Sequence, residues 1–230
     1  ATAMSELFDE NRIPPDPRQV LYPYRYTQHD SMGFVATQVI SANLKRLKAN
    51  ETGVRLGFEE ESLHDMRVSA RRIRAAIRVF KQALPKHAQK TGDALKQLGR
   101  VLGKKRDLDV LSAYTNLSRE IAQAHQLIFR ELNSRHYSDL IRSIGALKGK
   151  NIKLNSKKLI KRRLEKTLKL AESIHPKSRD KELHTLRISI KKLRYACEFL
   201  EAVSSPKTKQ LIKDCRRMQD ILGDHQDAIF

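Results

Sequence analysis

The chain has no tryptophan, and aromatic residues make up only 6% of its 230 residues. Proteins that hold single-stranded nucleic acid stack the bases on exposed aromatic rings, so this composition gives no sign of such a platform. Cysteine is nearly as scarce, with Cys197 and Cys215 as the only two and no CxxC pair. This usage fits buried reduced thiols better than a disulfide framework or a zinc site.

Long apolar runs are absent as well. No stretch approaches the roughly 18 apolar residues of a membrane span, and the N-terminus lacks the basic and apolar regions of a secretory signal. The sequence therefore predicts a soluble, cytoplasmic protein with no membrane partner.

Acidic residues are outnumbered, with 26 Asp and Glu against 46 Lys and Arg, which leaves a formal net charge of +20. Because like charges repel in a compact chain, this surplus indicates a polyanionic partner.

Proline separates a short N-terminal segment from the rest of the chain. Four of the seven prolines fall between Pro14 and Pro23, among tyrosines, so residues 1–26 are expected to form an extended arm. From there on, apolar residues recur every three or four positions, which predicts an all-α domain over residues 27–230. The expected helices span residues 31–50, 60–84, 88–105, 107–147 with a break near Asn133, 155–175, 180–203 and 206–222.

An internal repeat is the most informative feature of the sequence. The segment LHDMRVSARRIR, which starts at Leu63, recurs as LHTLRISIKKLR from Leu183, an offset of 120 residues. The same offset relates the Leu-Gly pair at 102–103 to the one at 222–223. Two matched segments at one offset indicate a duplicated helical hairpin and predict a helical bundle of two pseudo-twofold-related halves. The expected halves cover about residues 31–147 and 155–230.

Each repeated helix has an apolar seam that is expected to pack against a neighbouring helix. The seams comprise Leu63, Met66, Ala70, Ile73, Ile77 and Phe80 in the first copy, and Leu183, Leu186, Ile190, Leu193, Cys197 and Leu200 in the second. In the helix that follows, the expected seams are Leu95, Leu98 and Leu102, and Leu211, Cys215, Met218 and Leu222.

A basic row follows each seam one residue later, about 100° around the helix. It comprises His64, Arg67, Arg71, Arg74 and Arg78 in the first copy, and His184, Arg187, Lys191 and Arg194 in the second. The first row extends for about 21 Å, which suits a linear polyanion better than a single phosphate. A solvated face usually alternates its charges, because arginines three or four residues apart repel one another. Two such rows that face each other would form a basic central groove or pore.

The second helix of each copy adds cations to the expected groove. Lys96 and Arg216 occupy matching positions and are expected to enter it, with Lys213 and Arg217 at its edge. The cations between residues 157 and 169 point around most of their helix, so the sequence does not assign them to the groove.

The repeats LHDMRVSARRIRAAIRVF and LHTLRISIKKLRYACEFL are followed by LGKKRDLDVL and LGDHQDAIF. In this pattern the chain resembles the CHAD domain, a histidine-containing α-helical family, over about residues 32–230. The resemblance implies two pseudo-symmetric helical halves whose basic rows bind inorganic polyphosphate. The binding residues that it implies are His64, Arg67, Arg71, Arg72, Arg74, His184, Arg187, Lys191, Lys192 and Arg194. Because the ExExK signature of triphosphate-tunnel enzymes, which are often fused to such domains, does not occur here, the stand-alone form is implied.

Two other functions remain open. Any phosphodiester polymer is attracted by this charge, so nucleic acid is the main alternative partner. The His64-Asp65 pair also matches a dyad of HD-type metal-dependent phosphohydrolases, although the second copy has Thr185 in place of the acid.

The sequence shows no catalytic set, since it has no Gly-rich phosphate loop, GxSxG elbow or Cys/His nucleophile pair. Asp107, Asp109, Asp224, His225 and Asp227 are better explained as helix caps or ion-pair partners than as metal ligands. We therefore expect a non-enzymatic polyphosphate-binding module, without cofactor or metal, that associates with polyphosphate granules.

Overall fold

The computed structural model describes residues 24–57, 60–111, 117–175 and 178–227, except for the side chains of residues 106, 109–111 and 225–227. These residues are mostly helical, with no strand among them, which confirms the predicted all-α fold. The pseudo-twofold relation of the halves stays a prediction. None of the described helices combines the length and the apolar content that a membrane span requires.

The helices are α1 (Met32–Ala49), α2 (Glu51–Leu56), α3 (Glu60–Val79), α4 (Ala88–Leu111), α5 (Ser118–Leu132), α6 (Arg135–Gly145), α7 (Ser156–Glu172), α8 (Asp180–Leu200) and α9 (Lys207–Asp227), with a 3-10 turn at Glu201–Val203.

Serine caps set two of the helix boundaries. The hydroxyl oxygens of Ser31 and Ser134 accept hydrogen bonds of 3.1 and 3.0 Å from the backbone N–H groups of Phe34 and Tyr137. Because Ser134 starts a new helix directly after α5, the predicted break near Asn133 is confirmed.

Several predicted helix limits are wrong, including the end of α9, which lies at Asp227 rather than at residue 222. α3 ends at Val79, five residues earlier than predicted, and turns follow it. α4 continues to Leu111, because its apolar spacing does not stop at residue 105 but extends to Leu108. The helix predicted over 107–147 therefore starts too early, and α5 begins only at Ser118.

Two apolar clusters form the interior, and α8 belongs to both. The larger cluster draws on α1 to α6 and on one face of α8, where the ring centroid of Phe199 lies 6.4 Å from that of Phe80. The smaller cluster joins the other face of α8, including Cys197, to α7 and α9. Since α3 also contacts α8 directly, the two repeated helices lie against each other.

The predicted apolar seams are largely correct. Every residue of the first seam, from Leu63 to Phe80, is buried, as are all three predicted residues of α4. In α9 the prediction is wrong at Met218, which is 42% exposed, while Gln219 is buried beside it. The inward face of α9 therefore includes the predicted Cys215 and Leu222, with Gln219 in place of Met218.

The arm predicted over residues 1–26 is described only from Tyr24, and residues 1–23 lie outside the described part of the chain. Residues 24–27 are not helical. The hydroxyl of Tyr26 donates a hydrogen bond to the carbonyl oxygen of Phe199, and the ring centroid of Tyr24 lies 6.2 Å from that of Phe199. These contacts fix the end of the arm against α8.

Candidate functional site

A cavity of about 710 Å³ lies between α3, α7 and α8. Seven of its lining side chains are basic, and within the described part of the chain none is acidic. The basic residues are Arg71, Arg74 and Arg78 of α3, Arg163 and Lys166 of α7, and Lys191 and Lys192 of α8. A concave surface with this many like charges concentrates anions from solution.

The α3 cations enter the cavity because residues spaced by three and four share one face of a helix. Arg71 donates from Nε to the hydroxyl oxygen of Tyr195 at 3.1 Å, which links α3 to α8. The pKa of Arg74 is lowered by burial and then by the positive charge of Arg78. The members of this row thus lie close enough to repel one another.

The α8 cations interact with both neighbouring helices across the cavity. The pKa of Lys191 is lowered to about 8, first by burial and then by the positive charges of Arg71, Arg187 and Arg194. The pKa of Lys192 is also lowered, by burial first and then by Arg78 and Lys166. The last three members of the first predicted row and Lys191 of the second therefore line one shared cavity.

Two cavity cations come from α7, the helix that the sequence does not assign to the groove. The hydroxyls of Thr167 and Ser189 are hydrogen-bonded at 2.9 Å between α7 and α8. This contact orients α7 so that Arg163 and Lys166 line the cavity. Burial lowers the pKa of Arg163, and the adjacent Arg162 lowers it further. Charge alone does not distinguish the faces of α7, because cations point around most of it. The one sequence signal for its inward face is Thr167, a small uncharged residue among the cations.

The first arginine of each predicted row makes a matching contact with the following helix. Arg67 lies beside Gly103 of α4, with Nη2 3.6 Å from the position that a Cβ atom would take. Arg187 lies beside Gly223 of α9, with Nη2 3.1 Å from the corresponding position. The repeat offset of 120 residues thus relates the two contacts. In each of them glycine has no side chain, which leaves room for a guanidinium group.

Glu198 of α8 contacts three of the arginines that the sequence predicts as binding residues. Its Oε2 accepts a hydrogen bond of 2.5 Å from Arg72, and its Oε1 accepts one of 3.3 Å from Arg216. Nη1 of Arg194 lies 3.6 Å from the same Oε1. Arg72 also donates to the hydroxyl of Tyr24 at 3.1 Å. These contacts join α3, α8, α9 and the arm, and they give Arg72 a structural role.

The structure brings five of the fifteen predicted binding residues into the cavity, namely Arg71, Arg74, Arg78, Lys191 and Lys192. Lys96 and Arg216, which were expected to enter the groove from the second helices, do not line this cavity. The exposed residues His64, His184, Lys213 and Arg217 also lie outside its lining.

The His64-Asp65 pair has a structural explanation. Asp65 is buried and accepts a hydrogen bond of 2.8 Å from Nη2 of Arg46 on α1, whereas His64 is exposed. In the ranges that the structure describes, no three His, Cys, Asp or Glu side chains are grouped to hold a metal ion. The geometry gives the HD-type phosphohydrolase alternative no support.

Of the two explanations given for Asp107, the ion pair applies and the helix cap does not, because α4 continues past it. Its Oδ1 lies 3.8 Å from Nη2 of Arg67 instead. The side chains at positions 109, 225 and 227, which were given the same explanation, lie outside the described part of the structure.

Comparison with known proteins identifies the family. A family model for the CHAD domain matches residues 38–230. The structure is similar to the crystal structure of the CHAD domain from the plant Ricinus communis, with a TM-score of 0.74 and 27% identity over 89% of this chain and 78% of that one. Its fold is also similar to that of PptA from Streptomyces chartreusis, with a TM-score of 0.60 and 14% identity over 82% of each chain. No curated protein matches the sequence. The chain therefore belongs to the CHAD domain family, which is associated in general with polyphosphate binding.

Proposed function

We propose that this protein binds inorganic polyphosphate, without catalysis, in the cavity between α3, α7 and α8. The observation that carries the proposal is the set of seven cations that three helices direct into one cavity with no acidic residue in its described lining. The pKa values of Arg74, Arg163, Lys191 and Lys192 are lowered first by burial and then by neighbouring positive charges, so crowding of like charges adds to the cost of the empty site. A bound polyanion relieves this repulsion.

The arrangement favours a linear polymer over a single phosphate. Along α3, the cavity cations extend from Arg71 to Arg78, which corresponds to about 10 Å of helix. Successive phosphates of one chain can contact cations on all three helices at once. Affinity then comes from many charge-assisted hydrogen bonds of modest strength rather than from one strong contact.

A titration against competing polyanions tests this function. At about 0.15 M salt, near physiological ionic strength, long-chain polyphosphate is expected to bind at least about tenfold more tightly than tripolyphosphate or an equal mass of single-stranded DNA. The polymer has a charge on every unit and no bases to accommodate, so it fits a cavity lined by cations. Equal affinity for DNA would favour the nucleic-acid alternative instead.

The proposed role is binding alone, in the cytoplasm and at polyphosphate granules. Purified protein with Mg²⁺ is expected to release no orthophosphate from the polymer. A fluorescent fusion is expected to colocalise with the granules and to disperse when cells are depleted of polyphosphate. Release of orthophosphate that requires the folded protein and increases in proportion to its concentration would contradict the proposed absence of catalysis.

Binding is expected to weaken as the pH rises above about 8. The free Lys191 ammonium loses its proton around its pKa of about 8. A bound polyanion stabilises the ammonium form and raises this pKa, so binding takes up a proton. The contribution of Lys191 is therefore complete below that pH and decreases above it. Isothermal titration calorimetry between pH 7 and pH 9.5, about the range in which lysine with such a pKa changes charge, measures the effect.

The matched variant is Lys191→Arg, which keeps the positive charge over the whole range because arginine remains protonated. Its affinity is expected to change less with pH than that of the wild type. Identical pH profiles for the two proteins would show that Lys191 does not contact the polymer.

Arg187 lies outside the cavity lining, but its positive charge acts on Lys191 inside the cavity and lowers the pKa of that lysine. Displacement of Arg187 therefore weakens the attraction of the cavity for a polyanion, and Gly223→Ala is expected to reduce affinity by about twofold. The added methyl group would lie 3.1 Å from Nη2 of Arg187, so the guanidinium must shift by a few tenths of an ångström. The control is Gly103→Ala, where the distance to Arg67 is an ordinary 3.6 Å and affinity is expected to stay unchanged. Equal effects of both substitutions on polyphosphate titrations would contradict a positioning role for Gly223.

A further inference from the structure

The repeat offset of 120 residues also relates the helices that pack beside the repeated pair. α1 packs against α3, and α7 packs against α8. The apolar residues Val39, Ile40 and Leu44 of α1 correspond to Leu159, Ile160 and Leu164 of α7. All six side chains belong to the two apolar clusters or pack against them. The contact of α1 with α3 can therefore be compared residue by residue with the contact of α7 with α8.

In the first of these contacts an acid neutralises a base. Nη2 of Arg46 on α1 lies 2.8 Å from Oδ2 of Asp65 on α3. The residues 120 positions later are Lys166 of α7 and Thr185 of α8, and both line the cavity. The hydroxyl of Thr185 donates to the carbonyl oxygen of Lys181 in its own helix at 2.7 Å. The second contact therefore keeps the base and has an uncharged residue in place of the acid.

A second pair of contacts differs in the same way. Arg72 of α3 is paired with Glu198 of α8 at 2.5 Å. The corresponding residues, 120 positions away, are Lys192 of α8 and Arg78 of α3. The pKa of Lys192 is lowered by burial and then by the charge of Arg78, which shows that these two cations lie close together. The cavity is thus basic because the acids at positions 65 and 198 have Thr185 and Arg78 as their counterparts.

We propose that Thr185 determines anion binding by the cavity, because its uncharged side chain leaves the Lys166 ammonium to the polyanion. This inference rests on the proposed function and adds a residue that acts without a charge of its own. An aspartate at this position would pair with Lys166, as Asp65 pairs with Arg46, and would also repel phosphate groups. Thr185 therefore acts by keeping a negative charge out of the cavity and needs no contact with the polymer.

Polyphosphate titrations of three variants of the full chain test this role. At about 0.15 M salt, Thr185→Asp is expected to weaken binding by about tenfold. Thr185→Asn has nearly the shape of the aspartate without its charge and is expected to bind within about twofold of the wild type.

The control for the added charge is Ser138→Asp on α6. Ser138 is exposed, does not line the cavity, and donates from its hydroxyl to the carbonyl oxygen of Ser134, as Thr185 does to that of Lys181. This variant is also expected to bind within about twofold of the wild type, because only the net charge changes.

Thermal denaturation gives a readout that does not depend on the ligand. Thr185→Asp is expected to raise the melting temperature by about 2 °C, because the new carboxylate pairs with Lys166 and relieves the crowding of positive charge. In a Lys166→Gln background the same substitution is expected to give less than half of this gain, because its main partner is missing.

The failure of this inference differs from the failure of the proposed function. If Thr185→Asp binds polyphosphate as tightly as Thr185→Asn, or if its gain in melting temperature is the same without Lys166, the role of Thr185 is wrong while the function stands. A wild type that does not bind polyphosphate would contradict the function and this inference together.

Discussion

Replacing Arg78, Lys166 and Lys192 together with glutamine is expected to weaken polyphosphate binding by about a hundredfold at roughly physiological salt. One of these cations comes from each helix that lines the cavity, and all three are exposed, so their removal does not disturb the core. Each charge-assisted contact contributes about 1 kcal/mol, and three such losses give the expected effect. The salt dependence of the binding constant is also expected to decrease, by about 2 in the log-log slope.

The control for this variant removes the same number of charges outside the cavity. Lys48, Arg135 and Lys148 are exposed and do not line it, so their replacement by glutamine keeps the net charge of the two variants equal. This control is expected to lose less than about fivefold in affinity, because only long-range attraction is reduced. Equal losses in the two triple variants would mean that net charge, rather than the cavity, determines binding.

Glu198→Gln is expected to lower the free energy of unfolding by about 3 kcal/mol. Burial lowers the pKa of Arg72, but Tyr24 and Glu198 more than offset this and raise it above its ordinary value. Loss of the carboxylate charge leaves the buried Arg72 without its ion-pair partner, and Arg194 and Arg216 lose the same neighbour. Urea denaturation measures the loss, and thermal denaturation should show a melting temperature lower by roughly 6–12 °C.

Glu201→Gln is the matched control for this substitution. Glu201 lies three residues further along the chain and is exposed, so its replacement is expected to change the free energy of unfolding by less than about 0.5 kcal/mol. Similar values for the two variants would contradict the structural role assigned to the Glu198 cluster.

The helical fold could be predicted from the sequence because it depends on local patterns. The seam from Leu63 to Phe80 is buried as its three-four spacing predicts, and the break near Asn133 follows from a serine that caps the next helix. The residues at which helices begin and end were less predictable. The glycines at 99 and 103 do not end α4, because the apolar spacing continues beyond them to Leu108.

The site could be predicted only in part, because it depends on contacts between distant residues. Arg72 and Glu198 are 126 residues apart, and nothing local indicates that Arg72 pairs with this acid. The sequence did not assign Arg163 and Lys166 to the groove for a different reason. Basic residues surround α7, and only its contact with Ser189 selects the inward face. The spacing of charges along a helix thus predicts a row, while the packing of neighbouring helices decides which members reach the cavity.

A crystal structure of the protein with a polyphosphate of defined length tests the central claim most directly. A chain of phosphates is expected between α3, α7 and α8, within hydrogen-bonding distance of Arg74, Arg163 and Lys191. Phosphates bound elsewhere on the basic surface, with this cavity free of them, would contradict the account.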